Sequence, residues 1–282
     1  MKWLVLGANG MLGIDLTEVL AGQDVTSLTK SDCDITKPAE VENCLAGFDV
    51  VINCAAYTKV DDAESNQQLA KSINGTGAKN LAIASSKFGS KLVQISTDYV
   101  FPGDAKSPYD ENAQTGPKSI YGESKLIGEL AVKQYLPDSH YLVRTAWLYG
   151  KNGPSFPKAI LALAAKQDVL KVVDDQIGQP TWTMDLAHKI YEIVINELPA
   201  GTYHATSAGQ VSWFGYAQEL FRLNGFDPQR IKPVSSAEFI RPAPRPAYSV
   251  LSHANLIRFG LTPMRNWKSG LQDAVEQGIF NG

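Results

Sequence analysis

Cysteine is scarce in this sequence, and its few copies are scattered. The 282 residues include three cysteines, Cys33, Cys44 and Cys54, and no two of them form a Cys-x-x-Cys pair. Disulfide frameworks and cysteine-ligated zinc sites need cysteines paired at short spacing. We therefore expect neither a disulfide nor a metal site, and this cysteine usage is typical of a cytoplasmic protein.

Long apolar runs and a strong excess of charge are missing as well. No stretch approaches the length of a membrane span, and the opening segment Met1–Gly7 is too short an apolar run for a secretory signal. The formal net charge is −3, without the basic stripe that a nucleic-acid partner usually requires. The sequence therefore predicts a globular protein that binds neither membranes nor nucleic acids.

Short apolar strands alternate with helical patterns through the first half of the chain. Predicted strands are Lys2–Leu6, Val25–Leu28, Asp49–Ala55, Lys91–Ser96 and Tyr141–Arg144. Predicted helices are Met11–Leu20, Thr36–Leu45 with Thr36 as N-cap and Pro38 in the first turn, Ser65–Ser86, and Ile120–Tyr135. This alternation favours right-handed βαβ units and an α/β fold with a doubly wound parallel sheet of the Rossmann type.

The pattern changes after about Gly150. Predicted there are helices at Ser155–Lys166, Thr183–Asn196, Trp213–Asn224 and Pro263–Gly278, a strand at Leu170–Val173, and an irregular, proline-rich segment from Pro228 to Pro246. We expect two domains. Residues 1–150 would form the Rossmann domain, completed by part of 170–200, and residues 151–282 a smaller α/β domain.

The loop after the first strand has the pattern Gly-x-x-Gly-x-x-Gly, over Gly7–Gly13. The first glycine permits a tight turn, the second lets the backbone approach a pyrophosphate at the helix N-terminus, and the third permits close helix–strand packing. Glycines at this spacing also occur in ordinary turns, but a position between a strand and a helix favours a dinucleotide site. We expect the cofactor to contact Gly7, Asn9, Gly10, Met11, Leu12 and Gly13.

The end of the second strand distinguishes the two nicotinamide cofactors. An acidic residue there binds the ribose 2′-hydroxyl of NADH, whereas a basic residue accommodates the 2′-phosphate of NADPH. The segment Ser27–Ser31 (SLTKS) has no carboxylate, so Lys30 favours NADPH, with NADH possible, unless Lys30 is only a solvated loop residue. Asp34 and Ile35 are further expected contacts. Asp34 either bonds the adenine amino group or caps the turn before Thr36.

Two further features indicate a reduction. Ser96-Thr97-Asp98 ends a buried strand, at the edge where open parallel sheets bind ligands. Tyr121 and Lys125 are four residues apart on a predicted helix and so share a face. Hydride reduction of a ketone leaves an alkoxide that needs a proton and hydrogen-bond donors. We assign catalysis to Thr97, Asp98, Tyr121 and Lys125, with Tyr121 as the proton donor.

Each of these residues has an expected role. The ordinary pKa of tyrosine is about 10, and we expect the Lys125 ammonium to lower that of Tyr121. Lys125 and Tyr121 are also expected to contact the cofactor, Lys125 at the nicotinamide ribose. Thr97 would donate a hydrogen bond to the substrate carbonyl, and Asp98 would orient that arrangement or the sugar. A Tyr/Lys pair at this spacing often arises by chance, and its combination with the strand end and the glycine loop favours catalysis.

Five longer strings are more specific than these motifs. They are Asn53–Glu64 (NCAAYTKVDDAE), Ser96–Phe101 (STDYVF), Arg144–Tyr149 (RTAWLY), Asp175–Thr181 (DQIGQPT) and Arg245–Leu251 (RPAYSVL). They resemble strings of the extended short-chain dehydrogenase/reductase family and, within it, of the dTDP-4-dehydrorhamnose reductases. The resembling segments extend through nearly the whole chain.

The resemblance implies a two-domain enzyme with the sugar nucleotide bound between its domains, the smaller domain contributing to that site. It implies NADPH-dependent reduction of the 4-keto group of dTDP-4-dehydro-L-rhamnose to give dTDP-L-rhamnose. Implied substrate contacts are Thr97, Asp98, Val100, Tyr121, Trp147 and Arg245. Arg245 would bind the diphosphate, unless it is a surface arginine, and Trp147 would cover the sugar or nicotinamide, unless it is core. We also expect the cofactor to contact Cys54, Ala55, Ala56 and Tyr57.

The sequence departs from the resembling family at two places. Thr29 stands where the family often has an acidic residue, which favours NADPH further. Some relatives are magnesium-linked dimers with acidic residues near the C-terminus, but the segment Asp273–Gly278 shows no clear metal cluster. We therefore expect no structural metal, and the choice between a monomer and a homodimer stays open.

Two alternatives compete with the reductase. One is a sugar-nucleotide epimerase or dehydratase, in which tightly held NAD is reduced only transiently. The other is a non-catalytic NADP-binding regulatory subunit of the kind that regulates methionine adenosyltransferase. The presence of Thr97, Tyr121 and Lys125 argues against the second, because a binding module needs no proton donor.

Overall fold

The computed structural model describes residues 1–280 of the chain. Its strands are, in chain order, β1 (Lys2–Leu6), β2 (Asp24–Leu28), β3 (Val50–Asn53), β4 (Lys91–Thr97), β5 (His140–Thr145), β6 (Leu148–Tyr149), β7 (Leu170–Val173), β8 (Ile177–Gly178), β9 (Thr181–Trp182), β10 (Gly201–His204), β11 (Ser207–Ala208), β12 (Val211–Ser212), β13 (Ile231–Val234) and β14 (Met264–Asn266). The five strands predicted in the first half of the chain correspond to β1–β5, with ends that differ by up to two residues.

The α-helices are, in chain order, α1 (Met11–Val19), α2 (Pro38–Leu45), α3 (Val60–Ala63), α4 (Gln67–Lys71), α5 (Ala78–Phe88), α6 (Ile120–Tyr135), α7 (Phe156–Ala164), α8 (Thr183–Ile195), α9 (Trp213–Leu223), α10 (Ala254–Arg258) and α11 (Trp267–Glu276). A π-helical segment, Ser72–Gly77, joins α4 to α5. Short 3₁₀ turns cover Asp98–Val100, Pro228–Arg230 and Ser236–Glu238.

The centre of the fold is a six-stranded sheet in the order β10-β5-β4-β3-β1-β2, with every pair parallel. The chain starts at β1, moves outward to β2, and then crosses back to β3 and the strands beyond it. This order confirms the predicted doubly wound Rossmann-type fold, and ligands of such sheets bind at the strands' carboxyl ends near the reversal.

Strands β3 and β5 are buried along their whole length, which explains why their sequences read as nearly continuous apolar runs. Successive residues of β1 enter opposite layers. Trp3 and Val5 pack with α1 and α8 residues such as Leu16 and Ile190, whereas Leu4 and Leu6 pack with residues of α2 and α5. Helices therefore cover both faces of the sheet.

Two helix predictions need correction. Residues predicted as one helix, Ser65–Ser86, form α4, the π-helical segment and α5. The prediction that Thr36 caps α2 was wrong, because the helix starts at Pro38 with Lys37 at the N-cap and no capping side chain. The Thr36 hydroxyl instead donates a hydrogen bond to Oδ1 of Asp34 at 2.7 Å. An aspartate two residues upstream competes for that hydroxyl.

The second half of the chain both completes the central sheet and forms a smaller layer. Helix α8 packs against α1, and β10 pairs with β5. A second apolar cluster lies among α7, α9 and α11, around Trp182, Tyr216 and Leu271. The limits of the two domains remain a prediction. The last two residues of the predicted second domain, 281 and 282, lie outside the described residues. Among residues 1–280 no helix is both long and apolar enough to cross a membrane.

The segment from Pro228 to Pro246 is more ordered than predicted. Its residues Ile231–Val234 form β13, which pairs in parallel with β7 despite Pro233. A two-stranded sheet has only edge strands, and an edge strand tolerates proline where its N–H would face solvent. The predicted helix Pro263–Gly278 begins later than expected, at α11, because β14 precedes it.

Candidate active site

The carboxyl end of β4 and the first turns of α6 bring the four predicted catalytic residues together. Thr97 ends β4, and Asp98 opens the 3₁₀ turn that follows it. Tyr121 and Lys125 lie on α6, which packs on β4 and on that turn. The N-cap of α6 is Ser119, whose hydroxyl accepts a hydrogen bond from the Gly122 amide at 3.2 Å.

Tyr121 is held beside Thr97 and against an aromatic neighbour. Its ring meets the Tyr99 ring edge-on, with centroids 5.6 Å apart. Burial raises the pKa of Tyr121 to about 12, and the Thr97 hydroxyl, which stabilises an ionised phenol, opposes that rise. Lys125 is not among the groups that shift this pKa, and the net change is upward, not downward as expected, because burial outweighs the effect of the Thr97 hydroxyl. The phenol therefore keeps its proton at neutral pH.

Lys125 is a buried lysine whose ammonium group has no carboxylate bonded to it among residues 1–280. Its Nζ donates a 2.6 Å hydrogen bond to the carbonyl of Ile95, and the residue is only 5% exposed. Burial lowers the pKa of Lys125 to about 8, while the nearby Glu129 carboxylate opposes that fall. Near neutral pH the ammonium is charged, and besides the proton that it donates to Ile95 it has further donors for a ligand.

Asp98 is buried, and its two carboxyl oxygens differ. Oδ1 accepts a hydrogen bond from the Thr97 hydroxyl at 2.9 Å, whereas Oδ2 has no hydrogen-bond partner within residues 1–280. Burial raises the pKa of Asp98 to about 6, against the opposing effect of the Ser249 and Thr97 hydroxyls. Ser249, on the C-terminal half of the chain, was not predicted as a site residue from the sequence.

The glycine loop has the geometry that a dinucleotide needs. Gly7 has φ of +72°, and a side chain there would come within 2.6 Å of the Ala55 amide nitrogen. A Cβ on Gly13 would lie 2.4 Å from the Gly7 carbonyl oxygen. Gly10 is the N-cap of α1 and offers no capping side chain, so the first amides of the helix stay available to a phosphate. Asn9, Met11 and Leu12 lie on this loop and first turn.

The three predicted cofactor contacts after β2 differ in exposure and in hydrogen bonding. Lys30 is exposed, two residues beyond the end of β2. Asp34 uses Oδ1 to cap the turn at Thr36, accepting from its amide at 3.0 Å and from its hydroxyl, which favours the capping alternative. The side chain of Ile35 is buried in the core, and its carbonyl accepts from Asn80. Any cofactor contact of Ile35 would therefore use its backbone.

Residues 54–57 follow β3 and face the glycine loop. The Cys54 amide donates to the Leu6 carbonyl at 3.0 Å, and burial raises the pKa of the Cys54 thiol to about 12. Asn74 in the π-helical segment bonds both backbone groups of Tyr57 and the hydroxyl of Ser124. Asn74 thus ties the cofactor side of the site to α6. No local sequence pattern marks Asn74 as a site residue, because a π-helical turn has no distinctive residue pattern.

The predicted substrate contacts lie in different environments. Trp147 has φ of +48°, a left-handed conformation that is strained for a tryptophan, and its ring stacks on that of Trp213 at 3.5 Å between centroids. Arg245 donates to Asp61 at 2.9 Å and lines a cleft of about 200 Å³ with Tyr99 and Lys118. Val100 is fully buried in an apolar cluster, so its side chain is not available to a ligand.

Metal ligands are not grouped in this site. Within residues 1–280 no three histidine, cysteine or acidic side chains come together in a way that would hold a metal ion. Near the C-terminus, Asp273 pairs with Arg265, which also bonds both oxygens of Asp185.

The fold and the active-site geometry define the class of the chain as a short-chain dehydrogenase/reductase.

Comparison with known proteins agrees with this class and narrows it. The family model described as RmlD substrate binding domain matches residues 1–279. The chain is 47% identical, over 97% of its length and 92% of the relative's, to a protein named dTDP-4-dehydrorhamnose reductase from Streptomyces griseus. It is 46% identical, over 97% of its length and 94% of the relative's, to a probable dTDP-4,6-dihydroxy-2-methyloxan-3-one 4-ketoreductase from Streptomyces antibioticus.

Solved structures give the same result. The crystal structure of a dTDP-4-dehydrorhamnose reductase from Bacillus anthracis, in complex with NADP, superposes with a TM-score of 0.94 and is 41% identical over 98% of this chain and 100% of that one. The chain therefore belongs to the RmlD substrate binding domain family, the family of the dTDP-4-dehydrorhamnose reductases, and is a nicotinamide-dependent oxidoreductase.

Proposed function

We propose that this protein uses NADPH to reduce the 4-keto group of dTDP-4-dehydro-L-rhamnose, giving dTDP-L-rhamnose. The observation that carries the proposal is the meeting of Thr97, Tyr121 and Lys125 at the carboxyl end of β4, beside the open glycine loop. The choice of sugar rests on the names of the family's reductases. The choice of NADPH rests on Lys30 and on the absence of a carboxylate from the Ser27–Ser31 segment.

The glycine loop and Lys125 fit the cofactor. Gly10 and the first amides of α1 would hold the pyrophosphate, Lys30 the 2′-phosphate, and Lys125 the nicotinamide ribose. Reduced nicotinamide supplies the hydride when bound. The protein's own residues must then position the ketone and deliver one proton to its oxygen.

Tyr121 is the proton donor in this proposal. With a pKa of about 12 its phenol is protonated throughout the neutral range, so the reactive form is present before the substrate arrives. The Thr97 hydroxyl lies beside it and stabilises negative charge on either the ketone oxygen or the phenolate. In the structure that hydroxyl donates its single proton to Asp98 at 2.9 Å, so the proton must turn from Asp98 towards the ketone oxygen when the substrate binds. Trp147 and Arg245 bind the sugar and the diphosphate.

Replacing Tyr121 by phenylalanine tests the mechanism. We expect Tyr121→Phe to lower kcat by roughly 10²- to 10⁴-fold, because a positioned proton donor contributes about that much. The rate is followed as nicotinamide absorbance with enzymatically generated dTDP-4-keto sugar, using NADPH and NADH in parallel. Tyr135→Phe is the matched control, since Tyr135 ends the same helix. An unchanged rate in folded Tyr121→Phe excludes the mechanism.

The substrate is tested in the same assay. We expect turnover with dTDP-4-dehydro-L-rhamnose to exceed that with dTDP-4-keto-6-deoxy-D-glucose, a substrate named for a Streptomyces niveus relative that is 43% identical. The reverse preference would reassign the sugar without changing the reaction class. Steady oxidation of free NADPH also separates the reductase from an epimerase or dehydratase, which returns its cofactor to the starting state.

A further inference from the structure

One face of α6 carries three ionisable side chains in a row. Tyr121, Lys125 and Glu129 follow at intervals of four residues, so they lie one above another on the helix. Three successive residues of β4 meet this row. The Ile95 carbonyl accepts from Lys125 at 2.6 Å, the Ser96 hydroxyl donates to Glu129 at 2.6 Å, and Thr97 lies beside Tyr121. The register of β4 against α6 is therefore fixed at three consecutive points.

Glu129 is the most deeply buried member of this row, with 1% exposure. Its two carboxylate oxygens receive a forked contact from Arg144 on β5, at 2.8 Å from Nε and 2.6 Å from Nη2. Ser96 occupies a further lone pair of Oε1. This planar, two-point arrangement holds the carboxylate in one orientation.

Arg144 is fixed on its far side as well. Its Nη1 donates to the Glu111 carbonyl at 3.2 Å, and its guanidinium lies over the Phe101 ring at 4.9 Å. The same Nη1 approaches Nε2 of His204 at 3.4 Å. His204 is neutral because burial lowers its pKa, and its Nδ1 faces the Ser252 carbonyl, so Nε2 is the acceptor. Arg144 cannot follow Glu129 if that side chain moves.

Stability alone does not explain this pair. A buried ion pair loses hydration that its attraction only partly restores, and well-packed apolar replacements are often neutral or stabilising. The position of Glu129, one turn beyond Lys125, supplies a different reason for a charge. Its carboxylate is the group that most strongly favours the charged form of this ammonium, which burial otherwise disfavours.

The other ionisable groups around α6 do not provide that charge. The Cys54 thiol faces Lys125 from the end of β3, and Asp98 acts on Tyr121 from the 3₁₀ turn. Lys71 on α4 pairs with the half-buried Glu123, and Lys79 on α5 lies over the Tyr135 ring. Lys133, one turn beyond Glu129 on α6, has its pKa lowered by burial, and there too Glu129 opposes the effect.

We propose that Glu129 is a positioning residue for the reduction: held by Arg144 and Ser96, its carboxylate keeps Lys125 charged and fixes the helix face that carries Tyr121. The proposal rests on the proposed function, in which Lys125 acts as a cation. It makes Glu129 and Arg144 part of the functional unit, although neither touches substrate or cofactor.

The test is the pH dependence of Glu129→Gln. Activity that needs charged Lys125 falls as pH rises through its pKa, so the wild type should lose kcat/KM with an alkaline limb near pH 8. Removing the opposing carboxylate lowers that pKa further. We therefore expect the alkaline limb of Glu129→Gln to move to lower pH by about one unit. Glu123→Gln, which removes a half-buried carboxylate from the same helix, should leave the limb in place.

A double variant covers the case in which the single one does not fold, since Glu129→Gln leaves Arg144 buried and unpaired. Glu129→Gln/Arg144→Met removes both charges. It should fold and shift the limb in the same direction but less far, because the repulsive guanidinium is gone too. Lys133→Met should leave the limb unchanged, which excludes Lys133 as the titrating group. The proposal is overturned if the alkaline limb of a folded Glu129 variant, single or double, lies at the same pH as that of the wild type.

NADPH affinity gives a readout that is independent of the sugar. The dissociation constant of NADPH is measured from the fluorescence of the bound cofactor at several pH values. In Glu129→Gln it should begin to rise at the same lowered pH at which kcat/KM begins to fall. If the wild type binds NADPH with this pH dependence but turns over no dTDP-4-keto sugar, the proposed function fails while the role of Glu129 stands. If turnover is normal and both limbs stay unmoved, only the role of Glu129 fails.

Discussion

Asp98 shows how burial changes the chemistry of a single residue. One oxygen of this carboxyl group accepts from Thr97, and within the described chain the other has no partner. Burial disfavours the charged form of this carboxyl group, so its pKa rises to about 6 although the Ser249 and Thr97 hydroxyls oppose the rise. Asp98 can therefore change its charge at mildly acidic pH.

Asp98→Asn should make this effect measurable as stability. A raised pKa means that the fold favours protonated Asp98, so this contribution is present at low pH and is lost as pH rises through about 6. We expect Asp98→Asn to gain stability relative to the wild type between about pH 4 and pH 8, by a total on the order of 3 kcal/mol. Denaturant unfolding of both proteins across that range measures the difference.

The exposed Asp138 provides the control for that experiment, because Asp138→Asn removes a carboxyl group that water already solvates. Its stability relative to the wild type should hardly change with pH. If the difference between Asp98→Asn and the wild type is also independent of pH, the raised pKa of Asp98 is wrong.

Residue identities in the site were predictable, but their ionisation was not. The spacing of Tyr121 and Lys125 and the strand end at Thr97 are visible in the sequence. The direction of the Tyr121 pKa depends on burial between α6 and the Tyr99 ring, which has no local signature. Trp213 and Ser249 were missed for a similar reason, since they reach the site from distant segments.

At the scale of elements, the proposed preference for NADPH depends on the end of β2 and the turn after it. The Thr29 hydroxyl and amide both donate to Oδ2 of Asp32, at 2.7 and 2.9 Å. The Asp34 carboxylate is similarly occupied with Thr36. Lys30 is the cation that this turn leaves exposed, on the strand end nearest to the glycine loop, where Ala8 donates to the Leu28 carbonyl.

Lys30→Ala should therefore weaken NADPH and spare NADH. Loss of one charge-assisted contact to the 2′-phosphate costs roughly 1.5 kcal/mol, so we expect the KM for NADPH to rise about tenfold. The KM for NADH, which lacks that phosphate, should stay constant. Lys37→Ala is the control, because Lys37 is an exposed lysine already paired with Glu40 at 2.7 Å. Equal changes for the two cofactors would contradict the role of Lys30.

Strong periodic patterns made most elements predictable, and exceptions came from interactions between distant segments. Helix α6 matches its prediction at both ends, helped by Ser119 as N-cap. The break of the predicted Ser65–Ser86 helix into a π-helical segment accompanies the contacts of Asn74 with Tyr57 and Ser124. Strand β13 forms because β7 is available to pair with it.

At the scale of the whole molecule, the C-terminal half closes one side of the site. Residues near Arg245 return to the loop after β4, where Tyr248 pairs with Asp104 and Leu251 with Tyr109 in isolated bridges. This return brings Arg245 to within 2.9 Å of the Asp61 carboxylate on α3. Both partners lie in strings that resemble the family, Asp61 in Asn53–Glu64 and Arg245 in Arg245–Leu251. Their contact could not be predicted, because about 180 residues separate them along the chain.

Arg245 and its neighbour Arg241 allow the role of this closure to be tested. Arg245 is 21% exposed, faces the cleft beside Tyr99 and Lys118, and bonds Asp61 closely, whereas Arg241 is 61% exposed and lies 3.8 Å from the same carboxylate. A diphosphate in the cleft would offer Arg245 a stronger acceptor than Asp61, because it carries more charge and can engage both ends of the guanidinium.

Arg245→Met should consequently raise the KM for the dTDP sugar by roughly 10- to 100-fold, the loss expected for one or two hydrogen bonds to a charged group. The diphosphate does not change during the reaction, so its contact stabilises ground and transition states alike, and kcat should stay near the wild-type value. Arg241→Met should change neither constant by more than about twofold, since exposed charges contribute little. Two results would contradict this role: a fall in kcat at constant KM, or equal effects of the two substitutions. Either would mean that Arg245 holds the C-terminal half in place through Asp61 and does not bind the substrate. In that case Asp61→Asn would reproduce the effect of Arg245→Met.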